Sequence, residues 1–161
     1  MRSMLLGACL SLLPFVLQPA AFASTPEMGA VARGFFTAHG RFGNFYGVET
    51  RLWQSGPVFL GVSGFGGPVL NALPSALGYG GVLAGARTTL RGGLQLSARL
   101  WAGGGGGRLE GQPLAAVSVE PSVAIGVPVS DRVTGSFSLG YLSMLGVENL
   151  GGLVIAFRAD L

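Results

Sequence analysis

The stretch Ala115–Val129, AAVSVEPSVAIGVPV, alternates along its whole length. Odd positions hold Ala115, Val117, Val119, Pro121, Val123, Ile125, Val127 and Val129. Even positions hold Ala116, Ser118, Glu120, Ser122, Ala124, Gly126 and Pro128. Successive side chains of a β-strand point to opposite faces, so this ribbon has one wholly apolar face and one small or polar face. Pro121 and Pro128 cannot donate to a ladder, and they predict a bulge or a strand end.

The same period continues on either side. Val133, Gly135, Phe137, Leu139 and Tyr141 oppose Thr134, Ser136, Ser138 and Gly140, and the Ser130–Arg132 link fits a three-residue hairpin. Leu94, Leu96, Ala98 and Leu100 oppose Gln95, Ser97 and Arg99. Before Arg91-Gly92-Gly93, Val82, Ala84 and Ala86 oppose Leu83, Gly85, Arg87 and Thr89. Leu153, Ile155, Phe157, Ala159 and Leu161 oppose Val154, Ala156, Arg158 and Asp160. Tyr46, Val48, Thr50 and Leu52 oppose Gly47, Glu49, Arg51 and Trp53. Ala30–His39 and Val58–Phe65 read as strands with mixed faces.

Eight strands are therefore predicted. Three links are tight, at Ser55-Gly56, Arg91–Gly93 and Ser130–Arg132. Two are long, Gly66–Gly78 and Gly103–Pro113, and one, Met144–Asn149, is intermediate. Gly40–Gly43 is short. Alternate links of an up-and-down barrel lie at the same end, so one rim should carry turns and the other mostly loops, as in outer-membrane barrels.

Composition bears on the solvent that the apolar face meets. Only 11% of the 161 residues are charged, against about 25% in soluble domains. Mean hydropathy is +0.56 and every one of the ten basic residues is Arg. No segment after Ala23 is long and apolar enough to span a bilayer as a helix. Such a chain suits a membrane barrel or a Gly-rich, fibre-forming β protein. The arginines are scattered, which argues against nucleic-acid binding.

By parity the non-apolar face carries Arg33, Glu49, Arg51, Arg87, Arg99, Glu120, Arg158 and Asp160 among Ser, Thr, Gly and Ala. A soluble sheet would load that face with Lys and Glu. These charges instead suit a narrow interior closed by ion pairs, and an eight-stranded barrel is just wide enough for side chains to fill. The alternative use of the same charges is a narrow, mildly anion-preferring pore. Parity also places Trp53 and Trp101 inside, and Tyr46, Phe137, Tyr141 and Phe157 outside as a partial aromatic girdle.

Residues 1–23 read as a cleaved signal peptide: Arg2, an apolar stretch from Met4 to Leu17, and Ala21-Phe22-Ala23 as the cleavage motif, with cleavage after Ala23. Cys9 falls within this segment, so residues 24–161 hold no thiol. With His39 the single imidazole, disulfides and Cys/His zinc sites are excluded. His39 is also the one candidate base for an enzyme acting on lipid, with Ser63 or Ser143 as distant partners. No serine lies close to it in sequence, so no catalytic set is assigned. Gly103–Gly107 lacks the Lys and Ser/Thr of a phosphate loop and reads as a flexible external loop. Gly66–Gly78 reads as an apolar loop over the mouth.

In strand number, loop asymmetry and terminal alternating strand, the chain from Ala30 onward resembles the small eight-stranded outer-membrane barrels of the OmpA transmembrane-domain and OmpX kind. The resemblance implies an all-β, single antiparallel up-and-down transmembrane barrel over residues 24–161, located in the outer membrane. It also implies a structural or surface-interaction role without catalysis or cofactor. Membrane lipid would be its partner, and lipopolysaccharide or a protein could meet the loops 66–78 and 103–113. A lipid-acting barrel enzyme and a secreted fibre former stay open as alternatives.

Overall fold

The structure, a computed structural model, describes residues 26–70, 75–145 and 151–160; the expected signal peptide, 1–23, lies outside the described residues. Eight antiparallel strands close into a barrel in chain order. They are β1 (Glu27–Thr37), β2 (Phe42–Ser55), β3 (Val58–Leu70), β4 (Ala76–Thr89), β5 (Gln95–Leu109), β6 (Gln112–Pro128), β7 (Thr134–Leu145) and β8 (Gly152–Asp160). Strand lengths run from 9 to 17 residues. A tilted transmembrane strand needs about 9–11. β1 pairs with β8 from Gly29↔Asp160 to Thr37↔Gly152, so no open edge remains to template a fibre.

Period two becomes a wall with two solvents. Val82, Leu100, Val123, Ile125, Leu139, Leu153 and Phe157 are exposed on the outside, and the odd residues of β6 form one continuous apolar stripe. Glu49, Glu120, Arg33 and Arg158 are buried inside. Tyr46, Phe137, Tyr141 and Phe157 face outward, and the Phe137 and Phe157 rings meet edge to face at 5.2 Å.

Four expectations are corrected. Gly66–Gly78 and Gly103–Pro113 are not long loops. β3 runs to Leu70 and β4 begins at Ala76, with 71–74 outside the described residues. Gly103–Gly107 lies within β5, pairing with Gly81–Leu77 of β4 on one side and Ser118–Leu114 of β6 on the other. The β5–β6 connection is only Glu110-Gly111, with φ of +52° and +80°. The reason is steric. The inner wall curves so tightly that a Cβ at Gly105 would stand 2.2 Å from the Gly78 carbonyl oxygen, and one at Gly103 would stand 2.6 Å from the Trp101 ring. Glycine is a poor strand former in general, but here it is what the closure accepts.

The rim asymmetry disappears with those loops. The rim bearing residues 38–41, 71–75, 110–111 and 146–151 has connections no longer in kind than the rim bearing 56–57, 90–94 and 129–133. Met144 belongs to β7, while 146–150 lie outside the described residues. The second rim, where β1 begins and β8 ends, is the terminal rim; the first is the distal rim.

Trp53 faces outward, not inward. Arg51 pairs with Gly61 but Trp53 pairs with Leu60, so Leu52 is an extra residue in a β-bulge that reverses the parity beyond it. Trp53 thus shares the outer face of Leu60 and joins the girdle near the terminal rim, while Gln54 turns into the lumen. Trp101 lies inside and is buried. Pro121 produces no bulge either: the β6–β7 register is the same at Val119↔Ser143 and Ser122↔Gly140, on its two sides. Pro128 ends its strand.

Candidate functional site

The chemistry-bearing side chains converge in the lumen, because six strands each aim one or two charged residues at the same axis. Glu27 and Arg33 come from β1, Glu49 and Arg51 from β2, Arg87 from β4, Arg99 from β5, Glu120 from β6, and Arg158 and Asp160 from β8. Ser138 of β7 is buried opposite them.

Their contacts form an alternating chain. Arg99 lies 3.4 Å from Glu49, Glu49 meets Arg158, and Arg158 meets Asp160. Asp160 is 3.7 Å from Arg51, Arg51 meets Glu27, and Glu27 accepts from Arg87 at 3.0 and 3.1 Å. Arg87 also donates to Gln54 Oε1 at 2.6 Å. The chain descends from mid-barrel to the terminal rim, with a cation at each end. A separate pair, Arg33 with Glu120, sits beside its upper end. The Arg33 guanidinium also lies 4.2 Å from the centre of the Phe65 ring. Charges taken out of water are costly unless paired and hydrogen-bonded, and here each carboxylate is shared or held face to face.

Toward the distal rim the lumen is apolar. Phe45, Phe65 and Trp101 each meet Tyr79 obliquely or edge-on with ring centres 5.4 Å apart, and Phe35 meets Phe45 at 6.3 Å. Val69, Leu142 and Val154 fill the space around them. Offset and edge-on contacts of this kind are the favoured aromatic geometries. The void left among Arg33, Glu49, Arg99, Glu120 and Arg158 measures about 20 Å³, and one between Tyr79 and Met144 about 10 Å³. A water needs about 10–15 Å³ on this measure, so these voids hold a water or two at most and form no channel.

Three charged partners were not legible in the sequence pattern. Glu27 has the same parity as Arg33, so starting the first strand three residues earlier would have found it. Arg41 and Glu110 pair at 2.7 Å across the distal rim, where Glu110 N–H also donates to Ser75 Oγ at 2.8 Å. Their pairing joins residues 69 apart in sequence, and no local pattern signals it. His39 is exposed on the turn between β1 and β2, Ser63 faces the lumen, and Ser143 pairs with outward Val119. Among the described residues no cluster of His, Cys, Asp and Glu is arranged to hold a metal.

No protein-family model and no curated protein matches the sequence. Solved structures do match in fold. Neisserial surface protein A superimposes with a TM-score of 0.62 at 13% identity, over 84% of this chain and 94% of that one. The N-terminal β-barrel domain of Pseudomonas aeruginosa OprF gives 0.63 at 10% identity, over 84% and 96%. Ail, the attachment invasion locus protein of Yersinia pestis, gives 0.54 at 14%, over 84% and 94%. The chain has the fold of the small eight-stranded outer-membrane barrels.

Proposed function

We propose that the chain is a packed outer-membrane barrel, exported by cleavage after Ala23, whose role is structural or carried by its surface rather than by catalysis or conduction. The observation that carries this reading is the inversion of the wall: apolar side chains from all eight strands face out, and the ion-paired charges of its middle and terminal half face in. In water this arrangement exposes a continuous oily belt, far beyond the few hundred Å² a soluble monomer tolerates. In a bilayer the belt meets hydrocarbon and the strands' backbone groups are paired all round. An exported chain reaches the membrane from the periplasm, and an even number of strands keeps both its ends on one side, so the terminal rim is placed toward the periplasm.

The experiment is fractionation of the envelope followed by refolding in detergent. The protein should sediment with outer membranes and show heat-modifiable migration. A processed chain that is monomeric in detergent-free buffer overturns the reading. Leu139 lies on the outer wall midway along β7, paired with Val123 and Ile155. Leu139→Arg should cost about 2–4 kcal/mol near the bilayer midplane, falling to about 0–1 kcal/mol near the interfaces. Reversible unfolding from vesicles measures it.

The small lumen voids and the aromatic stack support a closed barrel over the pore reading. Reconstituted in planar bilayers, the protein should give no discrete single-channel conductance; steady anion-selective steps would favour the pore.

A further inference from the structure

We propose that the outer wall binds one anionic phospholipid of the periplasmic leaflet, with an acyl chain in a groove over β4–β7 and its phosphate against Arg91 and Arg132. The inference rests on the membrane orientation above and adds a ligand to it.

The groove is an open one of about 710 Å³, and its lining is almost wholly apolar. That volume falls within the range of about 300–1,000 Å³ typical of small-molecule sites. Its origin is a local deficit of side chain. Ala86 and Ala98 are directly paired, flanked in the same row by Val58 on β3 and Val123 on β6. Leu96, Ile125, Phe137 and Leu139 rise around this floor as walls. Among larger neighbours, the two adjacent alanines leave a furrow between the surrounding side chains. In a bilayer only lipid chains are available to fill it.

The headgroup preference comes from the rim directly below. The groove is bordered by the β4–β5 turn, with Arg91, and the β6–β7 turn, with Asp131 and Arg132. The two turns are close, since a Cβ at Gly93 would stand 3.2 Å from Pro128 Cγ. Arg91 and Arg132 are exposed, and among the described residues neither forms an ion pair, whereas Arg41 on the distal rim is held by Glu110. Two cations against one carboxylate give this sector a positive balance at the level where phosphates lie. Basic side chains near an anionic leaflet each strengthen its attraction.

Native mass spectrometry of the refolded full chain, incubated with phosphatidylglycerol or with phosphatidylcholine of the same acyl chains, tests this. One phosphatidylglycerol should be retained roughly thirtyfold more strongly than phosphatidylcholine, as two interfacial cations would give. Arg91→Gln with Arg132→Gln should erase the difference, and Ala98→Phe should expel both lipids by filling the furrow. Arg108→Gln, on the distal half of β5, should change nothing. Equal retention of the two lipids by the wild type, or a preference that survives the double variant, overturns the inference. Heat-modifiable migration is read on the same samples. The arginine pair lies in exposed turns, so those variants remain informative even if Ala98→Phe fails to close. A wild type that does not migrate as a closed barrel overturns the barrel reading itself; one that migrates but does not discriminate overturns only the lipid site.

Discussion

Glu49→Ala should lower the stability of the folded barrel by about 3–5 kcal/mol, the cost of stripping the partner from a buried ion pair. Glu49 is the carboxylate on which two guanidiniums depend, Arg158 and Arg99, and both are at least nine-tenths buried at the side chain. Removing it leaves two buried cations with one fewer anion between them. Glu120→Ala should cost less, about 1–3 kcal/mol. Arg33 then keeps the face of Phe65 at 4.2 Å, and a desolvated cation–π contact is worth about 2 kcal/mol. Glu27→Ala should cost within about 1 kcal/mol, because its side chain is 37% exposed and water screens the loss. Urea titration of protein folded into vesicles gives all three values. The order Glu49, Glu120, Glu27 is the test. Three equally small effects would mean that water reaches the guanidiniums throughout, and the packed lumen would be lost with it.

Gly105→Val should prevent closure, so that heated and unheated samples migrate alike, whereas Gly104→Val should leave the heat-modifiable form intact. The two residues are neighbours in sequence and opposite in face. At Gly105 a new Cβ would stand 2.2 Å from the Gly78 carbonyl oxygen and 2.3 Å from Tyr79 Cβ, and neither backbone can withdraw without opening the β4–β5 ladder. At Gly104 the nearest atom is the Ala116 carbonyl oxygen at 3.5 Å, an ordinary contact, and a side chain there would point outward. Valine there also suits a strand better than glycine does. Were Gly103–Gly107 a mobile surface loop, both variants would be tolerated. Loss of the closed form in both would show instead that β5 tolerates no side chain on either face.

What could be read from the chain and what could not divide along one physical line. Alternation in Ala115–Val129 is local: the pleat itself puts Val117, Val119 and Val123 on one side and Ser118, Glu120 and Ser122 on the other. The same local rule separates Arg99 from Leu100 and Arg158 from Phe157. The bulge at Leu52 defeats that rule, since an inserted residue leaves the sequence pattern unchanged while turning Trp53 to the other face. Gly103–Gly107 defeats it differently. Its low strand propensity is a property of the segment alone, but the requirement for no Cβ comes from Tyr79, Gly78 and Ala76 on the neighbouring strand.

The sequence by itself therefore determined the strand period, the apolar face of most ribbons, the count of eight strands, and the scarcity of charge that makes hydrocarbon the fitting solvent. Only the tertiary structure decided which arginine holds which carboxylate, that aromatic rings stop the distal half of the lumen, and that the apparent loops are wall. The reason is range. Face and period arise between adjacent residues, whereas Arg33 reaches Glu120 across 87 positions, a distance abolished only when β1 closes on β8.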